Sequence, residues 1–248
     1  MQQVEIAEKF QKEGIVHLEN IISPEDIKTL KNFTLVNLEE NQNKSFFLTS
    51  KSNEKISSFF RENTEIYEKI KSIVFDLSKN LKLTNFEDKK LYSVLRVLHN
   101  NRIKKESYNF HFDAHVITVL VPIIIPNREN SDNGHLLISP NLRKSTKSIL
   151  KNIFEKLFYQ SILKKFSKTK FAMNILNLKK IVLKPGSLLI FNGFRSLHGN
   201  LEIDEKDTRA TLLVHFYDQF HNSKLVQLNR DLRIKKEKLI IKKNSQNG

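Results

Sequence analysis

The chain changes its period near Leu91, and that change limits its fold more than any other feature. Before Leu91 the apolar residues recur at helical spacing, with Val4, Ile6, Ala7 and Phe10 in one stretch. Ile56, Phe59, Phe60, Ile66, Ile70, Val74 and Leu77 do the same over residues 53–80, as one helix or a pair. Afterwards come LYSVLRVL, FHFDAHVITVLVPIII, GHLLIS, KKIVLKPGSLLIF and ATLLVHFYD, β-branched or aromatic runs bounded by Pro, Gly or Asn. Regular crossover helices are missing between them, so the runs predict antiparallel pairing. The expected fold is mainly β with flanking helices: helices over 1–90, then a double-stranded β-helix (jelly-roll, cupin-like) barrel over 91–229. One helix at about 145–167 interrupts the strands, within an insert at about 141–180. Its apolar residues Ile149, Leu150, Ile153, Phe154, Leu157, Phe158, Ile162, Leu163 and Phe166 predict one stripe with lysines opposite. Residues 1–229 are read as one domain and 230–248 as a basic tail.

Local signals agree with this division. Gly14 is a stop for the first helix, and IVHLEN alternates like a short strand. Ser23-Pro24-Glu25-Asp26 starts a helix to about Leu38: Ser caps, Pro suits the first turn, and the acids meet the positive end of the dipole. With no Cys in the chain, a disulfide scaffold, a thiolate metal site and a cysteine nucleophile are excluded, and any metal must sit on His, Asp or Glu. No apolar run approaches a membrane span, and MQQVEIAEKF is too charged for a signal peptide, so a cytoplasmic location is expected. The net charge of +15 is regional. Residues 141–184 carry twelve Lys/Arg against one acid, Glu155, and residues 230–248 carry seven against two, Asp231 and Glu237. The rest of the chain is near neutral.

His111 and Asp113 lie two apart in a predicted strand, so both can face the inside of a barrel. A His-x-Asp pair alone is a cheap pattern. The second histidine, His198, raises its weight, because it follows Pro185-Gly186, a buried strand and the break at Asn192-Gly193. Two imidazoles and one carboxylate make a facial triad for Fe(II), with coordination positions left open. Arg209 opens the next strand, and Thr211 shares its face. A guanidinium and a hydroxyl there suit a carboxylate. The bland alternative is an exposed hairpin Arg paired with Asp204, Glu205 or Asp207.

Four stretches together resemble the phytanoyl-CoA dioxygenase (PhyH-like) family of Fe(II)/2-oxoglutarate-dependent oxygenases: AEKFQKEGIVHLENIISPEDIKTLKNF, FHFDAH, NGHLLISPN and KPGSLLIFNGFRSLHGN…TRATLLVHFYD. The resemblance spans about residues 7–218. It implies Fe(II) on His111, Asp113 and His198, and the distal carboxylate of 2-oxoglutarate on Arg209 and Thr211. It further implies O2-dependent conversion of 2-oxoglutarate to succinate and CO2, coupled to hydroxylation of a small-molecule or carrier-bound metabolite. Related halogenases lack the carboxylate that Asp113 supplies, so hydroxylation is favoured. Gly134-His135 stands where the family has a glycine pair, and the inserted helix leaves the substrate open.

Four further residues are candidates for substrate contact: Arg96, His115, Asn192 and Arg195. The inserted helix has three readings: a lid whose lysines attract an anionic substrate, a homodimer element, or a helix lying on an anionic membrane. Lid or dimer is favoured, since strands tie down both ends. Two other functions compete. One is a nucleic-acid-directed oxygenase of the oxidative demethylase type using the basic regions, although no nucleic-acid-binding module is recognised. The other is a barrel that binds without catalysis, which predicts a damaged triad.

Overall fold

The computed structural model describes residues 3–51, 53–83, 92–99, 108–129, 131–146, 148–166, 174–220, 223, 224 and 228. The expected tail at 230–248, Leu91 and residues 167–173 of the insert lie outside the described residues.

Each N-terminal element has a local cause. Helix α1 (Gln3–Glu13) ends at Gly14, whose φ of 73° is a left-handed stop, and β1 (Ile15–Leu18) follows directly. Helix α2 (Pro24–Glu40) starts where the Asp26 N–H donates to the Ser23 hydroxyl at 3.1 Å. The stretch 53–80 is a pair, α3 (Glu54–Glu62) and α4 (Thr64–Asn80). Asn63 separates them, because its side-chain amide donates to the Phe59 carbonyl and closes α3.

Eight further strands complete the framework: β2 (Phe46–Thr49), β3 (Tyr92–His99), β4 (His115–Ile124), β5 (Leu136–Ser139), β6 (Lys179–Ile181), β7 (Leu188–Asn192), β8 (Leu197–Asn200) and β9 (Thr208–Asp218). They form two antiparallel sheets, one of six strands in the order β1-β7-β4-β9-β3-β2 and one of three in the order β6-β5-β8. The jelly-roll expectation is met, with β2 and β8 added to the strands that the sequence predicts.

Alternation along the strands separates two cores. Outward, Val16, Leu95, Val97, Ile117, Val119, Val121, Ile190, Leu212 and Val214 pack with Leu30, Ile66, Ile70 and Val74 of the helices. Inward, Leu120, Leu189 and Phe191 meet Leu136 and Ile138 of the small sheet. The inner face widens into a polar end, which holds the site.

Two expectations are corrected. The strand predicted from Phe110 begins only at His115; His111 makes an isolated bridge with His198 instead. The cause is the Asp113 N–H, which donates to the Gly193 carbonyl at 2.9 Å and turns the chain away from a ladder. In the inserted helix, α5 (Ile149–Phe166), the nine apolar residues expected on one stripe with lysines opposite do not share one side at helical spacing. Asn152, Glu155 and Tyr159 are its more enclosed residues, whereas Leu150 is 80% exposed and Phe154 69%. The buried Arg143 explains this, since it donates to Glu155 at 3.1 Å and draws the polar face of the helix inward. Ile162, Leu163 and Phe166 lie outside the residues whose side chains are described.

Candidate metal and anion site

His111, Asp113 and His198 come together from two segments. The bridge between His111 and His198 has N–H···O bonds of 2.9 and 3.1 Å in its two directions, which brings the rings to 4.4 Å between centroids. One ligand atom from each of the three residues lies within 4.8 Å of the others, a group able to hold a metal ion. His111 Nε2 is 3.8 Å from Asp113 Oδ1, and His198 Nε2 is 3.7 Å from Asp113 Oδ2. Backbone carbonyls fix both tautomers: Nδ1 of His111 donates to Asn109 at 2.9 Å, and Nδ1 of His198 to Ser196 at 3.1 Å. Each Nε2 lone pair is therefore left for the common centre.

The electrostatics favour metal ligands over protons. Burial lowers the His111 pKa to about 4, aided by His198 and opposed by Asp113. For Asp113, burial opposes ionisation, but His198, His215, His111 and a hydrogen bond from Thr118 outweigh it and hold the carboxyl below the usual range. Thr118 donates its hydroxyl proton to Asp113 Oδ2 at 2.6 Å, so the Thr118 oxygen accepts from His215 Nδ1 at 3.1 Å. Gly193 closes the same corner. A Cβ there would lie 2.6 Å from Asp113 Oδ2 and closer still to Thr118 Oγ1.

Arg209 projects from β9 into the barrel and is 2% exposed. The bland hairpin reading is overturned, because Arg128 pairs with Asp204 at 3.7 Å and Asp207 at 2.7 Å instead. Arg209 Nη1 donates to Thr211 Oγ1 at 3.4 Å, and its Nε has no partner among the described residues. Burial, reinforced by Arg96, lowers its pKa to about 9. A buried guanidinium without an acid is costly, and the arrangement calls for an anion. Gly134 leaves it room, since a Cβ there would collide with Arg209 Cδ.

The other candidates fall in different places. Arg96 lies opposite Thr211 in the β3–β9 register, on the inner face, and is half-buried. His115 is outside the converging triad; its ring clusters with Tyr92, at 5.5 Å, and His215, at 5.0 Å, and those two rings are 5.4 Å from each other. Asn192 works in a turn, where its Oδ1 accepts the Arg195 N–H at 3.1 Å. Arg195 Nε donates to the Arg143 carbonyl at 3.0 Å. Sequence reasoning missed Thr118, His215 and Gly193. Strand parity was the usable signal for one of them, because His215 falls on the same alternation as Arg209 and Thr211.

No family model and no curated protein matches the sequence. Solved structures do match. A prolyl 4-hydroxylase from Phytophthora capsici superposes with a TM-score of 0.57 at 13% identity, over 89% of this chain and 64% of that one. This chain thus spans less than two thirds of that protein. The epimerase SnoN from nogalamycin biosynthesis, in complex with Fe3+, alpha ketoglutarate and nogalamycin RO, gives 0.54 at 12% identity over 87% and 83%. The non-heme alpha ketoglutarate dependent carbocyclase SnoK gives 0.51 at 11% over 90% and 89%. At these identities what is shared is the fold.

Proposed function

We propose that this protein is an Fe(II)- and 2-oxoglutarate-dependent dioxygenase, of the PhyH-like type, that hydroxylates a small-molecule or carrier-bound metabolite. The observation that carries it is the pairing of a two-histidine, one-carboxylate group, in which His198 is buried and His111 reaches the surface, with a buried Arg209 that has no acid beside it among the described residues. The donor set fits Fe(II), and the orphaned guanidinium fits a dicarboxylate. SnoN and SnoK, which share the fold, are non-heme alpha ketoglutarate dependent enzymes.

His111, Asp113 and His198 would hold the iron, and Arg209 with Thr211 the far carboxylate of 2-oxoglutarate. Bound there, iron would supply the activation of dioxygen, and 2-oxoglutarate would be the co-reductant, converted to succinate and CO2. The chain's own work is placement. The two carbonyl-fixed imidazoles keep their lone pairs on the centre, Thr118 and His215 hold the Asp113 carboxylate in one orientation, and Phe191 packs edge-on against the His198 ring at 4.8 Å. Arg96, on the same inner face, supports an anionic substrate.

The test is anaerobic titration of metal-free protein with Fe(II) and then 2-oxoglutarate, followed by the visible charge-transfer band. The band is expected only with both reagents, and not in Asp113→Ala or Arg209→Ala. Iron binding without the band would point to another metalloenzyme on this barrel. Failure to bind iron would leave a binding protein.

A further inference from the structure

Helix α5 turns its apolar side away from the body. At about 3.6 residues per turn, Leu150, Ile153, Phe154, Leu157 and Phe158 share one face, and Asn152, Glu155 and Tyr159 share the opposite one. The second face meets the protein: Asn152 is buried, Glu155 accepts from Arg143, and the Tyr159 ring meets Phe112 edge-on at 5.4 Å. The first face meets solvent, with exposures of 80% at Leu150, 48% at Ile153, 69% at Phe154, 59% at Leu157 and 50% at Phe158. Phe154 and Phe158 stack on it at 6.2 Å. Such a contiguous apolar stripe marks a contact surface.

Charge selects what covers it. Residues 141–184 carry twelve Lys/Arg against one acid, and that acid, Glu155, meets Arg143 at 3.1 Å and Lys151 at 3.9 Å, which leaves the segment strongly positive. Lys151 borders the stripe on one edge and Lys156 on the other. A second copy of the helix would bring two such basic segments together, and their repulsion would oppose the contact. A neutral apolar partner would leave the net positive charge of the segment unmatched. An anionic bilayer answers both features: acyl chains receive the apolar side chains, while lysine stems run along the stripe and their ammonium groups reach the headgroups.

We propose that the outward face of α5 docks this protein on an anionic membrane surface, with the helix lying in the plane of the interface. Among the described residues no helix is long and apolar enough to cross a membrane, so the contact is peripheral. Since the inward face of the same helix reaches Phe112, between His111 and Asp113, docking sets the bilayer beside the metal segment.

The experiment is co-sedimentation of the full chain with phosphatidylcholine vesicles and with mixed phosphatidylcholine–phosphatidylserine vesicles, beside a Phe154→Glu/Leu157→Glu variant. Both substituted side chains point to solvent, so melting temperature and Fe(II) binding should match the parent. Binding to the mixed vesicles is expected to exceed binding to phosphatidylcholine by about tenfold, to fall with salt, and to drop about tenfold in the variant. A Lys151→Glu variant, which leaves the apolar stripe intact, should also weaken binding to the mixed vesicles and not to phosphatidylcholine. Equal binding to the two vesicles, no binding, or full binding by both variants would overturn the proposal. So would a dimer in solution that Phe154→Glu/Leu157→Glu splits, since the stripe would then belong to a second copy.

Discussion

Strands β4 and β9 present two unlike faces from one set of backbone bonds. Ile117, Val119 and Val121 with Ala210, Leu212 and Val214 face the helices, and all are apolar. Thr118, Leu120 and Pro122 with Arg209, Thr211, Leu213 and His215 face the barrel, and four of these seven are polar or charged. The outer face satisfies every demand of packing. The inner face holds a buried guanidinium and a buried imidazole that packing alone would reject. A period of two thus lets one strand stabilise the fold and carry the site without compromise between neighbours.

The division breaks if an inner residue proves indispensable to folding. Asp113→Ala should weaken Fe(II) binding by more than about a hundredfold, read by titration, with metal-free melting little changed. If Asp113→Ala unfolds the protein, the inner face is structural after all. The reciprocal change, Leu212→Ala on the outer face, should lower stability by about 3 kcal/mol in denaturant melts with Fe(II) affinity retained.

Arg209→Met sharpens the comparison further. It should raise the 2-oxoglutarate requirement at least about tenfold while raising the melting temperature, because it removes a buried charge that lacks an acid partner. A fall in melting temperature would mean that the guanidinium stabilises the fold. Gly193→Ala should weaken Fe(II) binding by about tenfold, since the added methyl displaces Asp113 and Thr118.

The smallest effect is on pH. The His111 pKa is lowered from 6.5 to about 4, so within that window the unfolded chain binds a proton that the folded chain refuses. Stability of metal-free protein should therefore fall as pH drops through the window. His111→Asn should flatten that decline in thermal melts taken across it. The Asp113 carboxyl, held below its usual range, adds its own loss only in more acidic solution.

Much of this was legible in the sequence, and the failures share a cause. Periodicity located the N-terminal helices and the long strands, because their side chains answer to one sheet or one core. The triad was legible because imidazole and carboxylate are uncommon at the ends of apolar strands. β2 and β8 were missed: each has four residues, and β8 carries His198, Gly199 and Asn200, which do not read as a strand. β8 exists because β5 pairs with it. Helix α5 was legible in part. Its outward face, Leu150, Ile153, Phe154, Leu157 and Phe158, is spaced at helical period, but which side faces inward depends on Arg143, a partner that no local pattern announces.

The position of β9 has a consequence for how the molecule is made. It is the last strand in chain order among the described residues, yet it lies between β3 and β4 in the middle of the large sheet. Until it emerges from the ribosome, β3 and β4 each present an open edge, and β2 with β3 has no hydrogen-bonded link to the other strands of the sheet. The ladders it completes join residues far apart in sequence, as in Tyr92 with His215, so closure is a slow, late event. Before β9 is made, a nascent chain of this protein can therefore form only two partial sheets, β1-β7-β4 and β3-β2, each with an open edge, the state in which a chaperone has most to protect.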